Sequence, residues 1–340
     1  IITYLLTSYT IYLLSNELYS DRKLSLLACI SFYLLPSVSI SSFLLSTDII
    51  LIFFWSLTLL FLIKVRKRQS FKNFILLGIF LGLSFLAKYA AIYFLISLFL
   101  LILIDKKTRD IFKYNFLYTC AFLSTAFLIL LPNLVWNTKN EWATLSHTAE
   151  NAGLSRVGFN LLQGFEFLAM QGLMIGPIIF VGFFFIIKKI KFTFETIFLL
   201  SFSIPTLSIV LLESILVRAN ANWAAVALVP FFLLIFNHAY IYSKKLIFIN
   251  NLFNFLFCIT FFSVVSFSYP LKVFDRINGI KAFVNIVEEK HLKEKKYLVI
   301  DDRLLYSSFR YELKDPTKVI LTPHKPLSKI KNHFKITDPL

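Results

Sequence analysis

The sequence predicts an all-α polytopic membrane protein of about ten transmembrane helices, followed by a small extracytoplasmic α/β domain. Three observations predict it. Of 340 residues, 58% are apolar, 40 are phenylalanine and only 16% are charged, far from the balance of a soluble domain. The apolar residues gather in runs long enough to cross hydrocarbon. The basic residues gather in short clusters between those runs, which explains a net charge of +16 as topology and leaves no role for a nucleic-acid partner.

The expected spans are 1–15, 24–41, 49–63, 73–87, 90–104, 116–134, 165–187, 196–216, 223–242 and 247–267. The connections 16–23, 64–72, 105–114, 188–195 and 243–245 carry 16 Lys and Arg, whereas 42–48, 88–89, 135–164 and 217–222 carry four. That bias puts the first set in the cytoplasm, and the first residue and everything after 267 outside. Residues 1–267 are thus expected to form the membrane domain and 268–340 the tail domain, with a helix near 277–292, a strand at YLVID (297–301), a helix at 303–312 and a strand at KVIL (318–321).

The chain begins at Ile1, and its first apolar run lacks the charged start and small-residue cleavage site of a signal peptide, so it reads as a fragment. Cys29, Cys120 and Cys258 each lie in an apolar run without metal-ligand spacing and read as small core residues; no metal site is indicated. Richness in Lys, Ile and Phe fits an A+T-rich bacterial genome. The expected location is therefore a bacterial inner membrane, with the active site and tail toward the periplasm.

Two charges stand out against this background. Asp48 and Lys88 bracket the outer ends of two successive 15-residue spans, 49–63 and 73–87, joined by the basic turn 64–72. Fifteen residues at about 1.5 Å each fall short of a core roughly 30 Å thick, so both groups should lie at one depth below the outer surface and pair there. The bland readings are a helix cap for Asp48 within STD (46–48) and a snorkelling side chain for Lys88. The functional reading is an outward recess with a cation at its floor, suited to a lipid phosphate. Sugar transfer there would need a carboxylate base and a cation holding the leaving phosphate, through an oxocarbenium-like inverting step. The outward acids are Asp48, Glu141, Glu150, Glu166 and Glu213, and none of them is singled out as the base.

The longest outward connection, 135–164, holds Trp136, Asn137, Trp142 and His147 in too rich a mixture for a plain connector. The tryptophans suit the interfacial belt, as does Trp223 beside Asn222 at the start of a later span.

Six segments together resemble the bacterial glycosyltransferase family 39 group, the polytopic C-fold enzymes that include protein O-mannosyltransferases. They are STDIILIFFW (46–55), LGIFLGLSFLAKYAA (77–91) with Gly78, Gly82, Lys88 and Tyr89, LPNLVWNTKNEW (131–142), MQGLMIGP (170–177), NANWAA (220–225) and VIDDRLLYSSFRYEL (299–313). The resemblance implies a dolichyl-phosphate-mannose-protein mannosyltransferase-like enzyme that sits in the lipid bilayer and moves a hexosyl or pentosyl unit from a polyprenyl-phosphate-linked donor to a membrane lipid, glycan or protein acceptor, lipopolysaccharide among them, on the outer face of the membrane. It implies that the loop after 131 helps roof the cavity, with Trp136 and Asn137 beside it; Lys88 and Tyr89 are expected to bind the donor phosphate, and Asp48, His147, Gln171, Asn222 and Trp223 are further cavity candidates. The family carries its acidic base motif in a loop after a first helix, so the general base is expected upstream of Ile1. No cofactor is identified, and a divalent metal stays open. Two other readings remain: a transporter or flippase for a lipid-linked saccharide, disfavoured because neither internal repeats nor Gly/Pro-broken helix pairs are evident, and a non-catalytic remnant.

Overall fold

The computed structural model describes residues 1–152, 158–267, 279–292, 297–313, 317–323 and 334–340; the side chains of His147 and of residues 150–152 lie outside that description. The chain forms two compact units, one comprising Ile1–Trp136 and Ala152–Ser263, the other Asn137–Asn151 and Val264–Leu340.

The first unit is helical throughout. α1 (Ile2–Tyr19) ends at Ser20 in the left-handed region, and Asp21 accepts the free backbone N–H groups of Lys23 and Leu24 to start α2 (Arg22–Tyr33). Pro36 then opens the short α3 (Pro36–Ser41), because the residue before a proline avoids helical geometry; the single span expected over 24–41 is split there. α4 (Thr47–Lys67) is 21 residues long, longer than the span of 49–63, since Lys64, Arg66 and Lys67 continue its last turn, where cations favour the helix terminus. α5 (Phe71–Ala87) has 17 residues and stops at Lys88, whose extended backbone leads through the 3-10 turn Tyr89–Ala91 into α6 (Ile92–Ile104). Of the two stubby helices foreseen, only α5 is short.

α6 bends by 108° into α7 (Lys106–Tyr114), capped by Asp105. α8 (Phe116–Lys139) and α9 (Ala143–Ala152) take up half of what was expected as the loop 135–164. The turn between them is made by Asn137, whose carbonyl accepts from the backbone of Asn140 and Trp142 and whose side chain accepts from Thr144 at 3.2 Å. Glu141 and Trp142 pay for that tight turn with φ near 55°.

The span expected over 165–187 is broken. α10 (Leu161–Ile175) turns by 104° at Gly176 (φ 112°) into α11 (Pro177–Ile186). Asn250 fills the break by accepting the Ile179 N–H at 3.0 Å. A Gly-Pro break of the kind the sequence reading did not find is therefore present. α12 (Phe194–Leu216), α13 (Ala225–Tyr242) and α14 (Lys244–Ser266) complete the unit. α10 lies across helix ends that converge on it: Gly158 and Asn160 donate to Leu216 and Ile215 at the end of α12, Ser214 to Gln163, Gln171 to Ala221 before α13, and Ser37 of α3 to Met174.

Among the described residues five helices are long and apolar enough to cross a bilayer, or seven if each bent pair counts as one span, against the ten expected. The shortfall comes from α1, which is not apolar enough over its length, from α2, interrupted at Pro36, from the short α5, and from the two bends. The chain is an all-α multi-pass membrane protein. α13 is its central helix: 83% of its apolar window is buried, against 11% for α8 and 17% for α14, whose exposed phenylalanines and leucines suit contact with lipid. The core is aromatic; Trp55 of α4 is fully buried between Phe94 and Phe202, edge-on to both.

The described part of the tail has α15 (Ile280–His291), β1 (Tyr297–Val299), α16 (Arg303–Glu312), β2 (Val319–Leu321) and α17 (Phe334–Thr337). β1 and β2 pair in parallel, Leu298 opposite Ile320, as a crossover through α16 requires. Tyr306 on α16 donates to Ile320 at 3.2 Å, and Arg310 pairs with Asp338 at 2.8 Å. Burial of the Asp338 carboxyl works against its ionisation, but hydrogen bonds from Thr337 and Tyr306 and the Arg310 charge outweigh it and hold the group below the usual carboxylate range.

The glycines of the LGIFLG segment have a packing role. A Cβ at Gly78 would lie 2.5 Å from the Phe122 carbonyl oxygen of α8, and one at Gly82 would lie 2.8 Å from Ile129 Cβ, so α5 and α8 approach to backbone distance only because both positions are bare. Gly78→Ala should lower the thermal unfolding midpoint of the detergent-purified protein, at a cost of about 1–3 kcal/mol for overpacking. Gly158→Ala, where an added Cβ meets nothing within 4 Å, should leave it unchanged.

Candidate functional site

The site is assembled at the end of the bundle where α4 begins and α5 stops. Ser46, and not Asp48, caps α4: its hydroxyl accepts the Asp48 N–H at 3.2 Å. That frees the Asp48 carboxylate to face sideways from the first turn. Lys88 closes α5 by donating its own N–H to Ser84, and its extended backbone (φ −165°) takes the side chain out of the helical line. The two meet: Lys88 Nζ lies 2.7 Å from Asp48 Oδ1. The side chains are 31% and 13% exposed, so the pair is half-buried, accessible from one side.

A third group joins them. Asn222, in the turn before α13, donates through Nδ2 to the other carboxylate oxygen of Asp48 at 2.8 Å, across 174 residues of chain. The Ser46 hydroxyl lies 3.2 Å from that same oxygen. Charge-assisted bonds of this geometry are stronger than neutral ones, although solvent reaches the Asn222 contact and screens it. An ammonium offers three donors, so its bond to Asp48 does not exhaust Lys88.

Behind this cluster stand residues that hold its parts in place. Gln171 is buried, and its side chain donates to the Ala221 carbonyl at 3.0 Å, fixing the turn that presents Asn222. Trp223 follows in that turn and packs with Phe167 and Val210. The Tyr89 hydroxyl donates to Asn133 Oδ1, tying the turn after Lys88 to α8.

Of the residues named from sequence, Asp48, Lys88 and Asn222 are in direct contact, and Tyr89, Gln171 and Trp223 are one residue or one hydrogen bond away. Trp136 is 41% exposed at the end of the first unit. Asn137 belongs to the second unit, where it is buried and builds the turn into α9. His147 lies outside the described side chains. Among the other acids, Glu166 is exposed on α10 and Glu141 sits in the strained turn. Asn133 and Ser46 were missed. Both stand inside quoted motifs, LPN and STD, and the signal for Asn133 was its place one turn before Trp136 in a segment otherwise apolar.

The contacts join separate motifs. STD meets AKY through Asp48 and Lys88, AKY meets LPN through Tyr89 and Asn133, STD meets NANW through Asn222, and NANW meets MQG through Gln171.

Comparison with known proteins finds two likenesses. Residues 1–136 match the family described as dolichyl-phosphate-mannose-protein mannosyltransferase. The chain is also 32% identical over 202 residues to lipid A galacturonosyltransferase RgtD of Rhizobium johnstonii, covering 57% of this chain and 41% of that relative. The chain thus spans about two-fifths of the length of the curated relative it matches. No solved structure matches it. This chain is similar, over its first 136 residues most plainly, to the family-39 glycosyltransferases of the C-fold.

Proposed function

We propose that the protein is a membrane glycosyltransferase that moves a sugar from a polyprenyl-phosphate carrier to a lipid or glycan acceptor, with Lys88 gripping the donor phosphate. The observation that carries this reading is the Lys88 ammonium, half-buried at the break after α5 and held at 2.7 Å by Asp48. A lipid phosphate needs such a cation: one fixed in position, partly dehydrated, and reachable from the bilayer. Asp48 and Asn222 keep the amine aimed before the donor arrives, which lowers the reorganisation needed when the phosphate leaves. The transfer is read as inverting, at the periplasmic face of a bacterial inner membrane, the face opposite the basic helix ends. The relative's printed substrate, lipid A, makes lipid A the first acceptor to test. No residue here is assigned the role of general base.

Transport of a lipid-linked saccharide is the second reading, and the break at Gly176–Pro177 is what favours it. Against it, α10 is tied at four places to helix ends by the contacts of Ile215, Gln163, Ala221 and Ser37. A helix so fixed is a poor rocking element.

The test uses membranes containing the full-length protein, incubated with radiolabelled undecaprenyl-phosphate galacturonic acid and lipid A. Labelled lipid A supports transfer; label that only crosses the bilayer supports transport. Lys88→Ala should lower transfer by about 10²–10³-fold at unchanged expression, the scale for removing one positioned electrostatic group. Lys88→Arg should recover part of it, because the charge stays while the point contact to Asp48 changes to a planar fork. Equal activity of Lys88→Ala and the parent would remove the phosphate role.

Asn222→Ala leaves the Lys88–Asp48 pair but takes away a donor to the carboxylate. It should raise KM for the donor severalfold with a smaller effect on kcat, whereas Asp48→Asn, which strips Lys88 of its counter-charge, should change both. Identical kinetic profiles for the two variants would mean that Asn222 does not act through Asp48.

A further inference from the structure

The opposite, basic end of the bundle holds a feature that sugar transfer does not use. α7 is bent 108° from α6, and a helix turned this far from a span suits a place along the membrane surface. Its starting point is fixed: Arg66 reaches Asp105 at 3.2 Å, lies flat 3.3 Å over the Phe194 ring, and Asp105 caps α7 through Thr108. α7 buries Thr108, Ile111 and Phe112 against the bundle and leaves Lys106, Lys107, Arg109 and Lys113 exposed. A surface helix with an anchored apolar stripe and a cationic remainder is the pattern of an interfacial element.

Between α7 and the turn that joins α4 to α5 lies an open cleft of about 430 Å³, within the size range of ligand sites. Lys106, Lys107, Asp110 and Tyr114 line it from α7, and Gln69 lines it from the turn. Gln69 is held in place, since its side-chain oxygen accepts from Asn115 at 2.9 Å. Its sequence neighbours Arg68 and Ser70 line a second hollow of about 270 Å³ together with Lys64 and Lys67, so the same turn is basic on both sides. The α7 cleft thus presents two ammonium groups, a carboxylate and an amide on the side of the bundle that carries the basic connections. Two lysines match a phosphodiester, and Asp110 and Gln69 match hydroxyls beside it.

We propose that this cleft is a binding site for the headgroup of an anionic phospholipid with a hydroxylated head, phosphatidylglycerol being the type, and that Lys106 and Lys107 hold its phosphate. The site is separate from the Lys88 cluster, so its fate does not depend on the glycosyltransferase reading. Its ligand is a resident lipid, and its effect is to fix α7, and through Arg66 the end of α4, at the membrane surface.

The experiment is native mass spectrometry and thermal unfolding of the whole chain in a neutral detergent, titrated with dioleoyl phosphatidylglycerol, dioleoyl phosphatidylethanolamine or dioleoyl phosphatidylcholine. Phosphatidylglycerol should bind at least tenfold more tightly than phosphatidylcholine, raise the unfolding midpoint, and lose affinity as salt rises. The Lys106→Gln/Lys107→Gln pair should weaken phosphatidylglycerol binding by tenfold or more with no change in the lipid-free midpoint, which is the control for folding, as both side chains are exposed. Lys188→Gln/Lys191→Gln, an equal loss of charge at another basic connection, should leave binding unchanged. The proposal is overturned if both double variants weaken binding alike, if neither does, or if phosphatidylethanolamine or phosphatidylcholine binds as well as phosphatidylglycerol.

Discussion

An ammonium placed below the end of a helix in a bilayer protein has to be met by other polar groups, because hydrocarbon cannot solvate it. That constraint organises one end of this molecule. Lys88 occurs where α5 runs out, Asp48 answers it from α4, and Asn222 and Ser46 complete the carboxylate's coordination. Gln171 and Tyr89 then fix the segments that supply those groups. Ser46, Asp48, Lys88 and Asn222 all stand at helix ends, where backbone groups also need partners, so caps and site share residues.

The two ends of the bundle solve different problems. At the Asp48 end the ion pair is half-buried and narrow, with one lysine and several neutral donors. At the other end Arg66 and Asp105 form a closed lock stacked on Phe194, while the remaining cations are left exposed around it. The first arrangement keeps a charge available; the second uses one for architecture.

Much of this was legible in the sequence. Apolar run lengths and the distribution of Lys and Arg gave the membrane fold and its helices to within a few residues at most boundaries, because the bilayer penalises polar backbone and charge so heavily. Equal apolar run lengths in the sequence led to the expectation that Asp48 and Lys88 meet, although α4 itself is longer than α5. What stayed hidden depended on non-local contact. Asn222 reaches Asp48 across 174 residues, and no periodicity encodes that pairing. The turn of α10 at Gly176 was read as part of one span because both flanks are apolar, and only the glycine's φ of 112° and the Asn250 side chain reveal a bend. The stretch 135–164 was read as a loop since polar residues interrupt hydrophobicity there; Asn137 shows that they make a helical corner instead.

The sequence separations within the site bear on how the protein is made. Lys88 and Asp48 are 40 residues apart, so they can find each other as soon as two neighbouring hairpins have left the translocation machinery, whereas Asn222 follows Asp48 by 174 residues. Contacts this distant close late, after the entropy of a long intervening chain has been overcome. A nascent chain would therefore carry the charged couple for most of its synthesis with its carboxylate incompletely coordinated. The arrival of the turn at 220–224 is the step that matures it, which makes the order of membrane insertion part of the site's construction.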